Sequence, residues 1–178
     1  MPKHQGELDG LCGPYAIANA LEQCGLGDCS AEDVFQCACQ ALSQRRWPGV
    51  LWKGATFADL QRMLARCQRL LPGLAEVAIT YPFMKSPPSS NDVYWKRFDA
   101  LFEDERASRR CAIIGITRPT NHWIVATKDG SRVKLTDCAH GAPDRRKNRA
   151  TLYAGSRCPD PNRWLIDRRE LVLIEAQG

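Results

Sequence analysis

Histidine is scarce in this chain: three residues in 178, His4, His122 and His140. Any chemistry that needs an imidazole has only those positions to draw on. No run of about eighteen or more apolar residues exists, so no membrane-spanning helix is expected. The opening Met1-Pro-Lys-His-Gln-Gly6 lacks the charged and apolar regions of a secretory signal, so export by that route is not expected and a cytoplasmic location is. Internal repeats and low-complexity segments are also missing, and the length suits one globular domain spanning 1–178.

Cysteine, by contrast, is plentiful, at nine residues. The number is odd, and a chain with 44% hydrophobic residues can bury a core without covalent staples, so free thiols fit better than a disulfide framework. Cys24/Cys29 and Cys37/Cys39 could offer four thiolates to zinc. Neither pair has the two-residue knuckle spacing, and Cys37 and Cys39 fall in a helical pattern that sends them to different sides, so no metal or other cofactor is expected. The formal charge of +5 includes a basic run, Arg145-Arg-Lys-Asn-Arg149. No aromatic residues interleave with it and no nucleic-acid-binding motif is present, so a solvated loop is expected there rather than a nucleic-acid contact.

The first half reads as helical. Pro14 to about Cys24 has proline in its first turn, an apolar body and Gly25 beyond its end. Ser30-Ala-Glu-Asp33 and Thr56-Phe-Ala-Asp59 are capping boxes that open helices to about Leu42 and Leu71. After a loop rich in proline and serine, Pro82 to Asn91, a fourth helix runs from about Val93 to Arg106. From Cys111 onwards the pattern becomes short β-rich runs: 111–117, 123–127, 133–136 and 170–175, with Asp129-Gly130 as a hairpin signal. Helices followed by an antiparallel sheet make an α+β fold.

One cysteine stands apart. Cys12 directly precedes Gly13-Pro14 at the start of the apolar helix, and a helix N-terminus favours thiolate, the nucleophilic form. Gly13 is expected to leave room beside the sulfur for a substrate backbone. Of the histidines, His122 enters a predicted strand in Thr120-Asn-His-Trp-Ile-Val-Ala126, and Asp137 ends the next strand after one hairpin. In an antiparallel hairpin the start of one strand lies beside the end of the next, so His122 and Asp137 are expected to meet as base and orienter. His140 is a rival base, in a predicted loop, and His4 lies in the N-terminal tail. An oxyanion would need donors: the Cys12 N–H and a side-chain amide, either Gln5 or Asn121.

Cys12-Gly-Pro before an alanine-rich helix, Gly54-Ala-Thr-Phe-Ala-Asp-Leu-Gln-Arg-Met-Leu64, His122-Trp-Ile-Val, Asp129-Gly130 and a strand-final Asp137 together resemble the papain-like cysteine peptidases. The nearest likeness is to the bacterial double-glycine leader peptidases and their free-standing relatives, over roughly Gln5 to Ala139. The resemblance implies a papain-like fold, hydrolysis of a peptide or isopeptide bond in a protein or peptide substrate through a thioester, no metal, and a Cys12-His122-Asp137 triad. Two positions depart from it. Gln5 lies seven residues before Cys12, where that family has six, and Cys138 stands where a proline usually follows the aspartate. Asp9-Gly-Leu-Cys12 also resembles the start of ovarian-tumour-type deubiquitinases, although Gly-Pro replaces the bulky apolar pair expected after the cysteine there. Glutamine deamidation, acyl transfer and a non-catalytic peptide-binding module remain as other uses of the same residues.

Overall fold

The computed structural model describes residues 10–25, 29–103, 107–139 and 144–177. Helix α1 (Cys12–Cys24) buries Ala16, Ile17, Ala18, Ala20 and Leu21, and with apolar side chains almost all round it lies within the core. It begins two residues earlier than proline placement suggests, so Cys12 is its first residue. At α2 (Ala31–Gln40) the capping box forms as read: the Ser30 hydroxyl accepts the Asp33 N–H and the Asp33 carboxylate accepts the Ser30 N–H. A short α3 (Trp47–Lys53), not foreseen from the sequence, packs Val50 inward. The second box, Thr56 with Asp59, opens α4 (Phe57–Leu70). Helix α5 (Asn91–Leu101) is capped by the Ser90 side chain and stops at Phe102, short of the expected Arg106.

Seven strands follow or interleave: β1 (Val77–Thr80), β2 (Ala107–Arg118), β3 (His122–Asp129), β4 (Arg132–Thr136), β5 (Arg145–Asn148), β6 (Leu152–Ala154) and β7 (Trp164–Gln177). They form one sheet in the order β1-β7-β2-β3-β4-β5, antiparallel throughout that path, with β6 pairing parallel to β7. The architecture is therefore α+β. β5 corrects the loop reading of the basic run: Arg145 to Asn148 pair with β4 as an edge strand. Charged side chains on an edge discourage further strand addition, so this composition suits the position as well as it suits a loop. At the β3–β4 turn Asp129 pairs with Arg132, which leaves Gly130-Ser131 as the two-residue loop, with Gly130 at φ 56°.

Alternation along the central strands sends side chains into two cores. Cys111, Ile113, Trp123, Val125, Val172 and Ile174 face α1, α2 and α4. Ala112, Ile114, Ile124, Ala126, Leu171 and Leu173 face a cluster built on Phe83, Tyr94 and Phe98 around α5. With both faces covered, the central strands read as continuous apolar runs, which is how they appear in the sequence. α1 is thus pressed against the sheet with its N-terminus near the start of β3.

Candidate active site

The start of α1 is positioned by close packing rather than by a cap, since Leu11 supplies no side-chain cap. A Cβ on Gly13 would sit 2.9 Å from the Ala55 Cβ and 3.0 Å from Leu60 Cδ1, so this glycine exists to let the helix approach α4. That corrects the expectation that Gly13 leaves space for a substrate: its space is already filled by the protein. Just upstream, the Gly10 N–H donates to the Leu51 carbonyl at 2.6 Å, which docks the approach to Cys12 on α3.

Trp123 fixes the other side. Its indole N–H donates to the Ala55 carbonyl at 2.7 Å and its ring stacks on Phe57 at 6.0 Å between centroids, so β3 begins against the same α4 N-terminus that receives Gly13. His122 is the preceding residue. Val125 pairs with Thr136, so the start of β3 and the end of β4 fall at the same end of the sheet. Asp137 follows β4 directly, and its Oδ1 lies 2.7 Å from His122 Nε2 while accepting the Ala139 N–H at 2.9 Å. The Gln23 amide of α1 donates to the Thr136 hydroxyl at 2.9 Å, tying the helix to the strand that delivers the aspartate.

His122 and Cys12 line the same cavity, and the Cys12 thiol is among the neighbours that favour the charged ring. With Nε2 turned to the carboxylate, Nδ1 is the nitrogen left for a thiol. Burial opposes a charged ring, but Asp137, Cys12 and Cys138 outweigh it and push His122 up to about 12. Burial likewise opposes the Asp137 carboxylate, yet His122 and the Ala139 N–H hold it below the usual carboxylate range. A cationic imidazole is the neighbour that stabilises a thiolate. Cys12, His122 and Asp137, proposed from spacing, therefore meet in space.

Cys12 opens on a cavity of about 270 Å³, whose walls include Lys53, Asn121, His122, Asp167 and Glu170. Asn121 therefore shares a cavity with Cys12. Gln5, His4 and His140 lie outside the described residues. Cys138 was not anticipated: its Sγ is 3.8 Å from His122 Nε2 and 4.0 Å from the Cys12 carbonyl, it is 1% exposed, and it does not line the cavity. Burial pushes its thiol upward, against the pull of His122. Its departure from the proline of the resembled family was the available signal. For Asp167 and Glu170 there was none: Glu170 opens the last expected strand, 170–175, as an ordinary polar residue, and Asp167 falls before it. Burial and then Asp167 push Glu170 up to about 7.

No protein-family model matches the sequence, and no curated protein matches it.

His122, Asp137 and Cys138 are the one set of three metal-capable donors among the described residues that lie within 4.8 Å of one another. They fit a metal only after rearrangement. Two donors on one tetrahedral zinc stand roughly 3.3 Å apart, whereas Nε2 and Oδ1 are at the hydrogen-bonding distance of 2.7 Å. Of the cysteines in the two candidate zinc pairs, Cys24 has its Sγ 3.4 Å from Cys111 Sγ, and Cys37 neighbours Cys67, whose thiol donates to the Val34 carbonyl at 3.7 Å.

Proposed function

We propose that this chain is a thiol-dependent hydrolase of amide bonds in protein or peptide substrates, with a papain-like fold. The observation that carries the reading is a thiol at the first residue of a buried helix, lining one cavity with an imidazole that a buried carboxylate holds by its Nε2. Cys12 attacks the carbonyl, His122 takes the thiol proton and gives it to the leaving amine, and water then releases the acyl group from the thioester with His122 as base. Asp137 holds the ring in orientation and stabilises its charge. The Cys12 N–H, unused within α1, and an amide side chain, Gln5 or Asn121, are the donors for the oxyanion.

The same atoms serve glutamine deamidation or acyl transfer, in which ammonia leaves or an amine replaces the water. Hydrolysis of peptide and isopeptide bonds is the leading reading because of the likeness to double-glycine leader peptidases, with ovarian-tumour-type deubiquitination next. The test is turnover of a peptide and ubiquitin-like substrate panel by the native chain and by Cys12→Ala. Cleavage that disappears in the variant supports the reading. Ammonia release without chain cleavage would favour deamidation, and cleavage retained by Cys12→Ala would overturn the nucleophile.

A further inference from the structure

Most buried or half-buried acids among the described residues are paired with a cation. Asp59 pairs with Arg46 and Arg62, Asp99 with Arg149, Glu175 with Arg110 and Asp137 with His122. Glu22, which does not line the Cys12 cavity, has no such partner among the described residues, and neither do Asp167 and Glu170. Both are half-buried on β7, both line the cavity that holds the Cys12 thiol, and no described lysine or arginine forms an ion pair with either. Among the described residues, the hydrogen bond that Asp167 accepts comes from the backbone N–H of Arg169, at 2.8 Å.

Gly115 leaves room for the Glu170 side chain. The Glu170 carboxylate lies across Gly115, where an added Cβ would come within 2.6 Å of Oε2, and the Trp123 ring closes the same spot from the other side at 3.1 Å. A side chain at 115 would require the Glu170 carboxylate to shift. An excess of acid over base does not explain the pair, because the chain carries 25 lysines and arginines against 20 acids. Two unpaired carboxylates in a partly dehydrated wall raise the cost of ionisation unless a cation arrives. The cavity's only described cationic side chains are Lys53 and His122, and His122 is committed to Asp137.

We infer that Asp167 and Glu170 are specificity-determining residues of this cleft and select substrates with a lysine or arginine side chain close to the scissile carbonyl. The pair is not a separate site; it is a wall of the cavity into which the proposed nucleophile opens, and the inference rests on that proposed function. The cationic side chain would lie along Gly115 with its charge between the two carboxylates, while the carbonyl meets Cys12.

The test uses two peptidyl chloromethyl ketones identical except for arginine or its neutral isostere citrulline next to the reactive group. The second-order rate of Cys12 alkylation should favour arginine by roughly tenfold or more, the worth of a hydrogen bond to a charged group. In the Asp167→Asn/Glu170→Gln double variant, shown folded by circular dichroism, that ratio should fall towards one. Each single isosteric variant should lose part of it, which preserves the test if the double variant is unstable. Equal rates for the two reagents in the native protein, or an unchanged ratio in the variants, would overturn the inference. Iodoacetamide, small and neutral, separates the two layers. If it alkylates Cys12 preferentially but the arginine preference is missing, only the specificity fails. If it ignores Cys12, the proposed function fails and the specificity falls with it.

Discussion

At the residue scale the roles proposed for the site differ enough to be separated by single substitutions. Removing the base removes proton transfer, worth roughly 10²–10⁴-fold, so His122→Ala should lower kcat/KM by that order. Asp137→Asn should retain more activity than His122→Ala, since the carboxylate orients the ring and supports its charge without itself taking the substrate's proton. Cys138 supplies the internal control. It contacts the same ring but is buried away from the cavity, so Cys138→Ala should leave turnover standing where Cys12→Ala abolishes it. Activity lost equally in both would mean that the two thiols act as a unit, as in a metal site with His122 and Asp137. Loss of an oxyanion donor costs roughly a hundredfold or more in kcat with little change in KM. Asn121, which lines the cavity, and Gln5 are to be compared on that signature by their alanine variants.

At the element scale, what places Cys12 is the approach of α1 to α4, and Gly13 is the residue that permits it. Gly13→Ala puts a methyl group 2.9 Å from Ala55 Cβ and 3.0 Å from Leu60 Cδ1. Overpacking of this kind costs about 1–3 kcal/mol. Denaturant unfolding should show that loss, together with slower alkylation of Cys12 because the helix start has moved. An unchanged midpoint would mean that the packing here is looser than described.

The elements that were legible in the sequence share one property: their signals are local. The Ser30/Asp33 and Thr56/Asp59 boxes satisfy orphan N–H groups through side chains three residues apart, and they formed as read. The hairpin between β3 and β4 followed from a short turn signal, and it brought His122 and Asp137 to one sheet end. What was missed depends on distant partners. α3 holds Pro48 and Gly49 in a seven-residue helix, too short and too poor in helix formers to announce itself, and it is held in part by burying Val50 and receiving Gly10. β5 is a strand only because β4 offers it a ladder. Cys138 and Glu170 reach the site through the paths of β4 and β7, which no spacing within the sequence encodes.

At the scale of the whole molecule, a glutamate held up at about 7 makes stability depend on pH. Between the ordinary value of 4.5 and about 7 the folded state keeps a proton on Glu170 that the unfolded chain releases. The unfolded state then binds fewer protons, so this group's contribution falls as pH rises through that window. Glu170→Gln cannot release a proton, so relative to the native protein it should become progressively more stable from pH 4.5 to 7, and urea unfolding at the two ends measures the change. His122 acts with the same sign at higher pH. Its protonated ring favours the folded state fully below its ordinary value of 6.5, and that contribution declines as pH rises towards about 12.

The central claim is that Cys12 is an activated nucleophile, and the distribution of thiols across the molecule allows one measurement to test it. Cys12 is only 5% exposed, whereas Cys29, Cys39 and Cys158 are half-buried and more open to reagent. Accessibility alone therefore ranks Cys12 behind those three, and activation by His122 ranks it first. Limiting iodoacetamide at about pH 6.5, below the range of an ordinary thiol, followed by peptide mass spectrometry, reads the order directly. The account predicts Cys12 modified before any other cysteine, with that priority lost in His122→Ala. Cys29, Cys39 or Cys158 labelled first, with Cys12 unreacted in the folded protein, would contradict it.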